Sequence, residues 1–183
     1  MLSYKESLKI LKETDALIEG HFILSSGLHS DKYIQCAKLL SKPQKAKDLC
    51  QSLAEKINEN FNDFNLVLSP AVGGIVIGYE IGRLLNVETI FAERVNKIFQ
   101  LRRGFEIKKN HKILIVEDVI TTGKSSLECS VLAEKLGAET IGFASLIDRS
   151  NGKSKINKKI ISQIQIEIPT FTEENIPEKL KRI

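Results

Sequence analysis

Cysteine is scarce in this 183-residue chain and poorly arranged for structure. Cys36, Cys50 and Cys129 are odd in number and lack C-x-x-C spacing. That pattern argues against a disulfide framework and leaves free thiols suited to a reducing compartment. No N-terminal apolar stretch has signal-peptide form, and no apolar run approaches the ~20 residues that cross a bilayer. The expected location is the cytoplasm, with no membrane partner. Low-complexity tracts, long linkers and internal repeats are also missing. The formal net charge of +4 is too small and too dispersed to argue for a nucleic-acid partner. It does suit an enzyme acting on polyanionic substrates. What remains is 42% hydrophobic, enough for one domain with a sizeable core, and the mean hydropathy is -0.09.

One stretch organises the rest: Ile113-Leu114-Ile115-Val116-Glu117-Asp118-Val119-Ile120-Thr121-Thr122-Gly123-Lys124-Ser125-Ser126. It opens as an apolar, β-branched run, the mark of a strand buried on both faces of a parallel sheet. Two carboxylates follow, then a small-residue turn, with a helix predicted from Leu127. Ligands of open α/β sheets bind outside the carboxyl ends of the strands, and a helix N-terminus offers free N–H groups to a phosphate. The hydroxyls of Thr121, Thr122, Ser125 and Ser126 add donors. Glu117 and Asp118 would repel a phosphate; they suit polyol hydroxyls or a divalent cation. Together the two halves describe a sugar phosphate. A Walker A loop is excluded, because its first glycine would fall at Asp118.

This string resembles the phosphoribosyl-diphosphate (PRPP) signature of type I phosphoribosyltransferases. That resemblance implies that Glu117 and Asp118 meet the ribose while Val119, Ile120, Thr121, Thr122, Gly123, Lys124 and Ser125 bind the rest of PRPP. Lys124 departs from the usual small residue there.

The flanking sequence extends the pattern. Ser3 to Thr14 reads as an amphipathic helix. Ile18 to Gln35 reads as a hairpin around Ser25-Ser26-Gly27, and it is similar to the hood of orotate phosphoribosyltransferases. Ser25 stands where that family often has lysine, and Tyr33 matches a position that packs against the base. His21 and His29 lack a third metal ligand. A helix is predicted over Lys42 to Asn60, with Pro43 in its first turn. The strand Leu66 to Ser69 then runs into Pro70-Ala71-Val72-Gly73-Gly74 and a helix predicted from Ile75. The glycines have the wrong spacing for G-x-G-x-x-G. The resemblance makes Ala71, Val72, Gly73 and Gly74 the pyrophosphate turn, with Gly73 where many relatives carry lysine. Charge on pyrophosphate would then be balanced by Mg²⁺, held mainly by PRPP, and by a lid between Glu93 and Phe105. Its cations are Arg94, Lys97, Arg102 and Arg103. In the family this loop serves the neighbouring subunit, which implies a homodimer.

The strand Thr140 to Ile147 ends in Asp148-Arg149-Ser150. A guanidinium there can grip a planar carboxylate, and in the family an arginine at this place binds orotate together with the first signature threonine, here Thr121. Ile160 to Ile168 alternates as a strand and is expected to pair with the N-terminal hairpin. The fold class implied is α/β: a twisted parallel sheet flanked by helices, Rossmann-like, with a small hood lobe. One domain would span 1–183, with its core at 42–150 and its hood from 1–41 and 151–183. The implied activity is orotate phosphoribosyltransferase, with orotate and PRPP as substrates, Glu117, Asp118, Arg94 and Lys97 as catalytic groups and Mg²⁺ as cofactor. A purine or uracil phosphoribosyltransferase and a non-catalytic PRPP sensor are the alternatives.

Overall fold

A computed structural model describes residues 1–24 and 27–181. Its main sheet contains six strands in the order β5-β4-β3-β6-β7-β8. These are β3 (Leu66–Pro70), β4 (Glu88–Val95), β5 (Ile98–Leu101), β6 (Lys112–Ile120), β7 (Glu139–Asp148) and β8 (Ile160–Gln165). All neighbours run parallel except β4 and β5, which form a hairpin. The chain leaves β3 through α4 (Gly73–Leu85) toward one edge. It leaves β6 through α5 (Lys124–Lys135) toward the other. The strand order therefore reverses between β3 and β6, and a crevice opens at their carboxyl ends.

The strands bury both faces, as their unbroken apolar runs require. Leu114 and Val116 point into one core with α3 (Pro43–Asn60) and α4, which contributes Ile77 and Ile81. Ile113 and Ile115 point the other way, into a second core with Cys129 and Ala133 of α5. The first helix, α1 (Tyr4–Glu13), begins at a capping box: Glu6 N donates to Ser3 Oγ, and Ser3 N returns a bond to Glu6 Oε2 at 2.8 Å.

The hood is a smaller sheet of β1 (Leu17–Ile23), β2 (His29–Ile34) and β9 (Thr170–Phe171). The expected turn at Ser25 and Ser26 lies outside the described residues. A short helix, α2 (Cys36–Leu40), leads from the hood back to the core.

One expectation is corrected. Ile160 to Ile168 does not pair with the hairpin; β8 joins the main sheet beside β7, extending the core sheet past residue 150. Thr170 and Phe171, after this strand, pair with β2. Alternation presents an apolar face to whichever sheet is nearest, and the edge of β7 takes Ile164 and Ile166 into the first core. Gln163 is buried and donates to Ser7 Oγ at 2.9 Å.

Candidate active site

Two turns meet at the crevice. After β3, the chain passes Ala71 and Val72, and α4 starts at Gly73, two residues before the predicted Ile75. After β6, Gly123 adopts φ 75°, and α5 starts at Lys124, three residues before the predicted Leu127. Both glycine turns are thus the first turns of helices, where N–H groups have no intrahelical acceptor. Gly123 needs its left-handed backbone, and it also has no room for a side chain, since a Cβ would lie 2.8 Å from Ile156. Lys155 N donates to Thr122 O at 3.1 Å, so the basic segment after β7 braces the turn before α5. Thr121, Thr122 and Lys124 are exposed on this turn and Ser125 is half-buried.

Glu117 and Asp118 sit at the carboxyl end of β6, where the sheet raises the energy of their charged forms. Burial pushes the Glu117 carboxyl up to about 7, against a hydrogen bond from Ser126 that favours its ionised form; the neighbouring Asp118 charge adds to the rise. Asp118 is also raised by burial, opposed by bonds from the N–H groups of Val119 and of Asp118 itself. The missing lysine at 73 has a steric reason here. A Cβ on Gly73 would lie 2.9 Å from both Asp118 carboxylate oxygens, so a side chain there must displace the acid. Cys36 Sγ lies 3.9 Å from Asp118 O, bringing the end of the hood to the same place.

Ser126 was expected to donate to phosphate with its neighbours. Instead it is fully buried, and its hydroxyl bonds to Glu117 Oε2.

Arg149 stands where β6 and β7 end, its N–H bonded to Ile120 O at 2.9 Å. Its guanidinium is half-buried, and desolvation pulls its pKa down. A surface pair with Asp148 does not form: Asp148 is buried and accepts from Ser150 N at 2.7 Å. Tyr33 is 37% exposed, and its ring meets Phe22 inside the hood at 5.6 Å between centroids.

The lid segment is a tight hairpin, with positive φ at Asn96 (49°) and Lys97 (68°) closing β4 onto β5. Its cations are engaged. Arg94 Nη2 lies 2.6 Å from Glu128 Oε2, Nη1 bonds to Lys97 O at 2.8 Å, and the guanidinium stacks 4.1 Å from the Phe99 centroid. Arg102 and Arg103 both bind Glu93, Arg102 at 3.1 Å. Lys97 instead borders a groove of about 700 Å³ beside the turn before α5, shared with Thr122, Lys124 and Lys155. Sequence reasoning missed Lys155; the run of basic residues after β7 was its only signal.

Among the described residues, no group of three or more metal-ligating side chains forms.

Residues 38–182 match the model of the phosphoribosyl transferase domain family. The chain is 45% identical over 169 residues to an orotate phosphoribosyltransferase of Carboxydothermus hydrogenoformans, covering 92% of this chain and 88% of that one. It is 45% identical over 176 residues to an orotate phosphoribosyltransferase of Parvibaculum lavamentivorans, covering 94% and 91%. The structure resembles crystalline orotate phosphoribosyltransferase from Aeropyrum pernix with a TM-score of 0.76, 22% identity and 86% and 92% coverage. It also resembles an adenine phosphoribosyltransferase from Thermoanaerobacter pseudethanolicus, with a TM-score of 0.62, 18% identity and 74% and 88% coverage. The architecture is thus common to enzymes of different bases.

Proposed function

Because the chain belongs to the phosphoribosyl transferase domain family, we propose that it is an orotate phosphoribosyltransferase. It joins orotate to the ribose 5-phosphate of PRPP, giving orotidine 5′-monophosphate and diphosphate on the route to pyrimidine nucleotides. The observation that carries the choice of base is Arg149, half-buried at the switch-point crevice and free of Asp148. Orotate has a ring carboxylate for it; adenine, hypoxanthine, guanine and uracil do not. Two relatives at 45% identity carry the orotate name as well.

The residues divide the work. Thr121 through Ser125 hold the 5′-phosphate, using the first turn of α5. Ala71 through Gly74 hold the diphosphate, using the first turn of α4. Mg²⁺, bound to that diphosphate, would neutralise charge on the leaving group. As the C1′–O bond breaks, the electron pair departs with diphosphate and the ribose ring gains positive charge. Glu117 and Asp118 orient the ribose hydroxyls and stabilise that ring. Their burial makes each charge count for more than it would in water. Arg149 and Thr121 place N1 of orotate for attack on C1′, the N1 proton passing to the departing diphosphate as the bond forms, and Tyr33 borders the base. Arg94 and Lys97, with Arg102 and Arg103, supply cations to the diphosphate when the hairpin closes. No side-chain nucleophile takes part; positioning and electrostatics do the work.

A homodimer completes the reading. Val72 (82% exposed), Val76 (52%) and Tyr79 (65%) form an apolar stripe beginning at the pyrophosphate turn and running along α4, a surface suited to a second copy. The three free, buried cysteines suit the cytoplasm. Among the described residues, no helix is long and apolar enough to cross a membrane. Competition decides the base: product formation from PRPP should be supported by orotate and by none of adenine, hypoxanthine or uracil. Preferential use of another base contradicts the role given to Arg149.

A further inference from the structure

We propose that Ser126 is a positioning residue for the ribose acids: its buried hydroxyl holds one oxygen of Glu117 and leaves the other aimed at the ribose. This rests on the reading of Glu117 and Asp118 as ribose acids. Helical spacing separates Ser126 from its neighbours. It shares the buried face of α5 with Cys129, Ser130 and Ala133, while Lys124 is exposed and Ser125 half-buried. That face packs on the sheet, where an unbonded hydroxyl would be costly. Its partner is Glu117 Oε2, across the α5–β6 contact. Each acid then has an anchor of its own. Asp118 takes main-chain N–H groups and is flanked by Gly73; Glu117 takes Ser126. Ser126 lies too deep to be spent on the phosphate.

The test is a double-mutant cycle on the full chain. PRPP affinity is measured by calorimetry, and rates are measured with orotate, for wild type, Ser126→Ala, Glu117→Gln and the double variant. Melting temperature serves as the fold check. Ser126→Ala should weaken PRPP binding about tenfold, the scale of a lost bond to a charged group, and leave the KM for orotate within twofold. Ser126→Thr should recover most of the loss. With Glu117→Gln already present, Ser126→Ala should add less than twofold. The acid limb of kcat/KM for PRPP should move to higher pH, because losing the donor disfavours the carboxylate form. Asp118 on β6 and Cys129 on α5 are the other titratable groups facing Glu117. Unchanged affinity in Ser126→Ala, or the same tenfold loss in the Glu117→Gln background, overturns the proposal. If Ser126→Ala fails to fold, Ser126→Cys, with similar volume and a weak donor, makes the same comparison. A wild type that binds PRPP but ignores orotate overturns only the choice of base, and the calorimetric cycle still decides Ser126. A wild type that does not bind PRPP overturns both.

Discussion

The end of β6 and the β4–β5 hairpin both carry site charges, yet they hold them in opposite ways. Glu117 and Asp118 are embedded in the sheet edge, their carboxyls raised by burial and fixed by Ser126 and by main-chain N–H groups. Arg94, Arg102 and Arg103 lie on the hairpin and are already paired, to Glu128 and Glu93. Buried acids lower folding stability but stay in place. Ion pairs made by exposed arginines such as Arg102 (57%) and Arg103 (62%) contribute little. On the proposed reading, the acidic half would set where the ribose sits and the basic half would move to meet the diphosphate.

The comparison breaks most sharply at Asp118. Asp118→Asn keeps the shape but removes the charge, and turnover should fall by about 100-fold or more, with the melting temperature unchanged or higher; steady-state kinetics and calorimetric melting read both. Arg149→Ala comes next. The KM for orotate should rise by on the order of 100-fold while PRPP affinity stays within twofold, because only the base carboxylate loses its partner. Gly73→Ala tests whether the acid needs its bare neighbour. A Cβ 2.9 Å from both Asp118 oxygens should displace the carboxylate and lower kcat about tenfold.

Glu117→Gln sharpens the stability side of the contrast. Burial raises the folded-state pKa of Glu117 to about 7 from the ordinary 4.5, so between those values the folded protein keeps a proton that the unfolded chain loses. The group's contribution to stability is fully present below 4.5 and is lost as pH rises through 7. Glutamine cannot ionise, so Glu117→Gln should stabilise the protein by roughly 3 kcal/mol at pH 8 and by almost nothing near pH 4. Denaturant titrations at the two pH values check it. On the hairpin, Glu93→Gln should change stability by less than about 1 kcal/mol, the smallest effect of the set, measurable by the same titration.

The strand–turn–helix at β6 was legible because it is contiguous: the strand, the acids, Gly123 and the start of α5 follow one another in the chain, which fixed their place at the sheet edge. The turn after β3 was readable for the same reason. Contacts between distant segments were not. That Gly73 lies under Asp118, or that Ser126 turns inward to Glu117, depends on where α4 and α5 cross the sheet. Ile160 to Ile168 showed its strand period but not its partner, since alternation is the same beside β7 as in the hood. The early starts of α4 and α5 were missed because small residues that read as loop also serve as open first turns.

The most direct measurement follows orotate by its ultraviolet absorbance with PRPP and Mg²⁺ present, then with each omitted in turn. Absorbance should fall only in the complete mixture, with diphosphate formed in equal amount. Undiminished orotate in the complete mixture, from a folded protein that binds PRPP, would contradict it.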